Sequence, residues 1–278
     1  MTLTVGSLFS GIGGLDLGLE RAGMKVIWQS EIDPYATRVL AKHWPEVPNH
    51  GDIKRIDWRN IVRPDVICGG YPCQPFSNAG KRLGEADERH LWPYVREAIS
   101  QLRPRYAILE NVRGHLSMGA TTVIGELAAI GYDAEWRIIS AASVGANHRR
   151  DRIFIVAYPT GIQRDERQHG HNARSGESFG VQSPSGRGGS DVAYPTGSAG
   201  RDTESHGLAT VFGQAAKLGK QSGFGRACRD WWEIEPGMGR VADGVPDRVD
   251  RLKGLGNAVV PQVAEVVGRL IVSHSEAL

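Results

Sequence analysis

Short apolar runs alternate along the first half of the chain with stretches of helical spacing. Leu3 to Phe9 reads as a strand that ends in Ser10-Gly11-Ile12-Gly13-Gly14, and Leu15 to Ala22 as a helix stopped by Gly23. Lys25 to Ser30 is a second strand ending at Glu31, followed by a helix over Pro34 to His43. Gly51-Asp52-Ile53 is expected near the end of a third strand. Asp65-Val66-Ile67-Cys68 is expected as a fourth, running into a loop rich in Gly and Pro. A helix over Trp92 to Leu102 leads to a fifth strand, Tyr106 to Leu109, which ends at Glu110. Thr121 to Ile130 is helical up to Gly131, and Trp136 to Ser140 and Ile153 to Ala157 form a late pair of strands. Strands alternating with crossover helices predict an α/β fold around a largely parallel sheet.

After Tyr158 the periodicity stops. Of the 65 residues from Gly161 to Gly225, 14 are Gly, a density that leaves no room for a regular apolar face. The phrase Val156-Ala157-Tyr158-Pro159-Thr160-Gly161 returns as Val192-Ala193-Tyr194-Pro195-Thr196-Gly197. Two copies are too few for a solenoid and suggest a duplicated turn in a loop-rich subdomain; a disordered linker is the other reading of this composition. Regularity returns with Leu255-Gly256-Asn257-Ala258 and an apolar helix over Val259 to Val272. The expected organisation is a domain over 1–157, a variable region over 158–246 and a C-terminal helix, 247–278, that rejoins the first domain.

Composition narrows this picture without deciding it. The chain has 278 residues, enough for one large domain with a small companion. Its 33 Lys+Arg balance 31 Asp+Glu to a net charge of +2, and the sum says nothing about where cations cluster. No apolar run of spanning length and no basic-then-apolar leader is visible. Three cysteines, Cys68, Cys73 and Cys228, form no disulfide framework, and the odd number fits a reducing cytosol. They have no partner at zinc-ligand spacing.

Three segments carry candidate chemistry. The turn Gly11-Ile12-Gly13-Gly14 between a strand and a helix lets a ligand approach the backbone. Glu31 ends the next strand, where a carboxylate can accept from ribose hydroxyls, and Asp52 is placed to hold an adenine amine. The turn lacks a phosphate-binding Lys, so an adenosine ligand without a polyphosphate fits it better; a plain tight turn flanked by surface carboxylates is the alternative. In Gly69-Gly70-Tyr71-Pro72-Cys73-Gln74-Pro75-Phe76-Ser77, a cysteine lies between prolines at the carboxyl edge of the sheet. Ligands of open α/β sheets bind at that edge, and a thiolate there is a candidate nucleophile; a buried structural cysteine is the alternative, one that suits Cys68. Glu110-Asn111-Val112 ends a strand at the same edge. In Asn147-His148-Arg149-Arg150-Asp151-Arg152, alternation is expected to put Arg150 and Arg152 on one face, suited to a planar oxygen-rich group or a phosphate, or simply paired with Asp151.

Together these segments resemble the cytosine-C5 DNA methyltransferases. The resemblance rests on Phe9-Ser10-Gly11-Ile12-Gly13-Gly14, Glu31, Gly51-Asp52-Ile53, Gly70-Tyr71-Pro72-Cys73-Gln74, Glu110-Asn111-Val112, Arg150-Asp151-Arg152 and Gly256-Asn257-Ala258-Val259-Val260-Pro261, in that order. It implies a Rossmann-like S-adenosylmethionine-dependent sheet with helices on both faces, plus a small irregular target-recognition subdomain. It further implies transfer of a methyl group to carbon 5 of a cytosine flipped out of duplex DNA. Cys73 would be the nucleophile at carbon 6, Glu110 would bind N3 and the exocyclic amine, and Arg152 would donate to O2. Arg150 would support the loop or a phosphate. For S-adenosylmethionine the resemblance implies Phe9, Gly11, Gly13, Glu31, Asp52, Asn257 and Val259, with Ile32 and Ile53 beside the carboxylates. Pro72, Gln74 and Ser77 would meet the displaced nucleotide.

Double-stranded DNA is the implied partner, and a cognate restriction endonuclease a functional one, in the cytoplasm. Target choice would lie in 158–246, with Arg164, Arg167, Arg174, Arg187 and Arg201 as candidate DNA contacts. The chain departs from the family pattern where His148-Arg149 stands in place of a Gln before the arginine pair. The motif before the last helix is also reduced to Arg248-Val249-Asp250-Arg251-Leu252-Lys253-Gly254. Other readings are an RNA cytosine-5 methyltransferase on the same scaffold, a non-catalytic DNA-binding relative, and a nicotinamide dehydrogenase that would leave the cysteine loop unused.

Overall fold

A computed structural model describes residues 1–72, 91–161 and 247–277. Cys73, Gln74, Ser77, the second Val-Ala-Tyr-Pro-Thr-Gly phrase and the five arginines between 164 and 201 lie outside the described residues.

The chain builds a six-stranded sheet in the order β2-β1-β3-β4-β6-β5. Its strands are β1 (Thr4–Leu8), β2 (Lys25–Ser30), β3 (Val66–Gly70), β4 (Tyr106–Val112), β5 (Tyr132–Ile139) and β6 (Arg152–Pro159). The first four run parallel, and β6 joins β4 and β5 antiparallel. Helices α1 (Gly14–Arg21), α2 (Pro34–His43), α3 (Trp92–Leu102), α4 (His115–Met118) and α5 (Ala120–Ala129) fall between strands. Helices α6 (Arg248–Asn257) and α7 (Pro261–Glu276) return to the sheet near the end of the chain.

Alternation along the strands sends side chains into two cores. On one face Val5, Val66, Cys68, Ile108, Phe154 and Val156 pack under α1 and α7 through Leu15, Leu19, Val263, Val267 and Ile271. On the other, Leu8, Ile67, Leu109, Ile153 and Ile155 meet α3 and α5 through Val95, Ile99, Val123 and Leu127. Helices therefore cover both faces, as a buried parallel sheet requires. Residues Val249–Glu276 include an 18-residue window apolar enough, by composition, to cross a membrane. Here they form two helices, broken where Ala258 and Val260 are extended, and α7 packs against α1.

Three expectations need correction. Between α2 and Gly51 there is no strand. Pro45 and Pro48 remove ladder donors, leaving a single parallel bridge between Gln29 and Asn49, and Ile53–Arg55 is a 3-10 turn capped by the Asp52 carboxylate. Asp65 to Cys68 is accordingly the third strand and Tyr106 to Leu109 the fourth. The first Val-Ala-Tyr-Pro-Thr-Gly phrase is mostly strand: Val156 to Pro159 complete β6 and pair with β5, and only Thr160 and Gly161 turn. Finally, β5 starts at Tyr132, four residues early: Tyr132, Ala134 and Trp136 alternate with Asp133, Glu135 and Arg137, so the strand pattern extends back to Gly131.

A buried polar knot holds the end of β1 to α1. The Ser7 hydroxyl donates to Asp16 Oδ2 (3.0 Å) and Gln29 Nε2 donates to Oδ1 (2.9 Å), joining β1, α1 and β2. Ser10 Oγ reaches back to Ser7 Oγ at 2.9 Å. Burial pushes the Asp16 carboxyl up to about 6 despite both hydrogen bonds. Cys68, fully buried beside this knot, has its thiol pushed up by burial first and by the Asp16 charge second, the environment of an inert structural cysteine.

Candidate active site

Strand order reverses around β1, which has β2 on one side and β3 on the other; the crevice at their carboxyl ends is where open α/β sheets take ligands. A cavity of about 480 Å³ lies there. The ends of three strands line it: Phe9 to Ile12 and Gly14 after β1, Gly70 to Pro72 after β3, and Glu110 to Val112 of β4. Arg152, Glu31, Asp33 and Tyr35 add side chains, and Lys253, Asn257, Ala258 and Val259 close it from α6 and the turn after it.

The turn after β1 is built from unusual backbone. Phe9 (φ 51°), Gly11 (φ 54°) and Gly13 (φ 82°) are all left-handed, which is ordinary for glycine and costly for phenylalanine. Such cost is tolerated where the surroundings overdetermine the turn, and here Glu31 does so. Its Oε2 accepts from the Gly11 amide at 2.7 Å, and its Oε1 from the Ile32 and Asp33 amides at 2.8 Å each. Gly14 is needed for a different reason: a Cβ there would stand 2.3 Å from the Val259 carbonyl oxygen. The two ends of the chain thus meet backbone to backbone at the cavity.

Glu110 and Arg152 form the charged centre. Glu110 points to the α1 face of β4 and is 8% exposed; Arg152 opens β6 on the same face, and its Nε lies 2.9 Å from Glu110 Oε1. Gly70 makes room for them, because a Cβ there would sit 2.8 Å from Glu110 Oε2. Burial pushes the Glu110 carboxyl up to about 7, while the neighbouring Arg152 and Arg150 cations pull against that rise. A carboxyl poised near neutrality can hold or release a proton at the pH at which proteins work.

The base of the cysteine loop is pinned at Tyr71. Asn111 Nδ2 donates to the Tyr71 carbonyl (3.1 Å), the Tyr71 hydroxyl shares a 2.7 Å hydrogen bond with His115 Nε2, and the Tyr71 ring lies 5.4 Å from that of Trp92. Pro72, directly before Cys73, lines the cavity.

Of the residues expected from sequence, the cavity gathers Phe9, Gly11, Glu31, Pro72, Glu110, Arg152, Asn257 and Val259. It does not gather Ile32, Asp52 or Ile53. Ile32 is 68% exposed, Asp52 Oδ1 accepts from the Lys54 amide, and Ile53 is core. Gly13 faces a neighbouring cavity instead. Arg150 precedes β6 and has φ 38°, so regular strand alternation does not relate it to Arg152, yet its charge acts on both Arg152 and Glu110. Asp151 pairs with Arg113 at 3.1 Å, and its backbone carbonyl also accepts from Arg152 Nη1 at 3.0 Å. Sequence reasoning passed over Asp33 and His115 and gave no individual role to Lys253, Tyr71 and Asn111, which it met only inside motifs; Asp33 and Lys253 form a 2.8 Å ion pair beside the cavity. The Asp-Pro start of α2 was a legible capping signal for Asp33; nothing local marks Lys253 as its partner.

Comparison with known proteins points the same way. The family model for C-5 cytosine-specific DNA methylases matches residues 3–183. The Bacillus subtilis Type II methyltransferase M.BsuFI is 39% identical over 161 residues, 56% of this chain and 39% of the relative. Escherichia coli M.Eco47II is 40% identical over 164 residues, 55% of this chain and 39% of the relative, and Neisseria gonorrhoeae M.NgoBI is 38% identical over 160 residues, 56% and 50%. The match therefore spans two-fifths to half of these relatives' own length. Among solved structures, a Spodoptera frugiperda DNMT2 variant superposes with a TM-score of 0.51 at 24% identity, over 65% of this chain and 57% of that one. Schizosaccharomyces pombe Dnmt2 does so with a TM-score of 0.50 at 23% identity, over 56% and 51%. These likenesses show the same Rossmann-like fold. With a family match over well more than half of its length, this chain belongs to the C-5 cytosine-specific DNA methylases.

Proposed function

We propose that the chain is a DNA (cytosine-5-)-methyltransferase of the modification type, acting on a cytosine flipped out of duplex DNA. The observation that carries this reading is the Glu110–Arg152 pair lining the same cavity as the Phe9–Gly14 turn and Pro72.

The family's methyl donor is S-adenosylmethionine, and the residues present fit it. Glu31 spends three acceptor positions on backbone amides and keeps one on Oε2, of about four that a carboxylate offers, for a ribose hydroxyl. The glycine turn leaves the backbone open, and the volume of about 480 Å³ lies within the range of small-molecule pockets. Phe9, Gly11, Glu31, Asn257 and Val259 would hold the donor, which when bound supplies an electrophilic methyl on a sulfonium.

The chain's own residues prepare the base. A stacked cytosine hides carbon 6, so extrusion into the cavity comes first. The Cys73 thiolate adds to carbon 6, which makes carbon 5 an enamine-type nucleophile and splits a hard step into easier ones. Glu110, whose carboxyl burial pushes up to about 7, donates its proton to N3 as charge builds there, and Arg152 donates to O2. Once carbon 5 has been methylated, loss of its proton expels the thiolate and restores the ring. Pro72, Gln74 and Ser77 contact the displaced nucleotide. Residues 158–246 select the DNA sequence, and a restriction endonuclease of the same specificity is the functional partner.

The test is transfer of labelled methyl groups to duplex DNA and to tRNA, with 5-fluorocytosine placed in the methylated site. DNA transfer and a stable protein–DNA adduct, absent in Cys73→Ala, are expected. Transfer to tRNA alone would replace DNA by RNA as substrate. Turnover by Cys73→Ala would remove the covalent route.

A further inference from the structure

We infer that Arg150 is a positioning residue for the cofactor side of the cavity, clamping the turn between α6 and α7. This rests on the methyltransferase reading above and adds a role for Arg150 other than contact with the base or a phosphate.

The guanidinium Nη2 of Arg150 donates to the Gly256 carbonyl at 2.5 Å and to the Ala258 carbonyl at 2.7 Å. These two carbonyls flank Asn257, and Asn257, Ala258 and Val259 line the 480 Å³ cavity. Arg150 itself does not line it. It borders a neighbouring cavity that shares Ile12, Gly14, Ala258 and Val259 as a common wall. The arginine therefore holds that wall from behind.

Backbone geometry argues in the same direction. Arg150 has φ 38°, a left-handed conformation that a β-strand arginine would avoid, and it stands just before β6, outside the regular strand alternation. A planar fork suits the task, since one nitrogen can serve two carbonyls while the charge stays delocalised. Loss of the clamp would leave two carbonyls at the break between helices without their donor. The turn would then have to be ordered when the cofactor binds, which weakens binding. Two residues further on, Arg152 holds Glu110, so the strand entry that orients the base-binding pair also anchors the cofactor wall.

The experiment measures S-adenosylmethionine binding to the full chain by calorimetry without DNA, together with amide hydrogen exchange over 256–260 in the ligand-free protein. Arg150→Ala is expected to weaken binding about tenfold, the cost of one or two charged hydrogen bonds, and to speed exchange at the turn. Arg150→Lys should recover part of both, and covers the case in which the alanine variant does not fold. Arg149→Ala, at an exposed arginine that lines neither cavity, should leave both unchanged. Unaltered exchange in Arg150→Ala, or an equal loss of binding in Arg149→Ala, would overturn the clamp. A parent protein that fails to bind S-adenosylmethionine would instead overturn the methyltransferase reading, with the exchange result still judging the clamp.

Discussion

At the scale of single residues, the centre of the site is a balance on one carboxyl. Burial favours the neutral acid of Glu110, and Arg152 and Arg150 favour the anion. With the group near 7, kcat/KM for DNA methylation should fall as pH rises past neutrality, because the proton offered to cytosine N3 is then lost. Arg152→Met removes the stronger of the two opposing cations, so the Glu110 carboxyl should titrate still higher and the alkaline limb should move up. A carbon-13 titration of the Glu110 carboxyl, or the pH profile of the residual activity, checks the direction; a downward move would mean that burial is not the controlling influence. Stability carries the same sign. A carboxyl whose folded value lies above its unfolded one stabilises the fold at acid pH, and that contribution disappears as pH rises through about 7. Glu110→Gln should therefore gain about 1–2 kcal/mol relative to the parent between pH 5 and pH 8.5 in urea denaturation. Glu110 and Arg152 were both legible in sequence as strand-end residues in a familiar order. That they touch was not, because 42 positions separate them and only the β4–β6 register brings them to one face.

At the scale of elements, the cavity depends on how closely α1 and the Val259 segment approach. Gly14→Ala would place a methyl 2.3 Å from a backbone oxygen, which no rotamer can relieve. The variant should lose about 1–3 kcal/mol of stability and most of its S-adenosylmethionine affinity. Thermal unfolding and calorimetry measure these, and a neutral result would show that the segment shifts freely. The helices and the buried strands were readable because apolar periodicity is a local signal. The expected strand before Gly51 failed because two prolines remove ladder donors. The start of β5 was missed although Tyr132, Ala134 and Trp136 alternate with Asp133, Glu135 and Arg137, a half-buried strand pattern that begins directly after Gly131.

At the scale of the whole molecule, two distant parts of the chain make one site. The turn at Gly11, near the start, and the turn at Asn257, near the end, line a single cavity, joined by Arg150 from the middle. The family match covers residues 3–183, so it includes the first part of the region proposed to read DNA. Exchanging residues 158–246 for the corresponding segment of a relative with another target should change the methylated sequence and leave S-adenosylmethionine affinity within about twofold. Bisulfite sequencing of DNA from expressing cells reads the outcome, and an unchanged pattern would place recognition elsewhere.

The order of motifs along the chain was enough to determine the fold class and the family. Each of those follows from local pattern: strand, glycine turn, strand-end acid, arginine pair. Only the tertiary structure decided which of those side chains meet. It placed Arg150 on carbonyls 106 and 108 positions away, left Asp52 capping its own turn, and drew Asp33 and Lys253 to the rim. The reason is physical. Spacing along a strand fixes the face of a residue only while the backbone stays regular, and the left-handed residues at Phe9 and Arg150 break that regularity at the site itself.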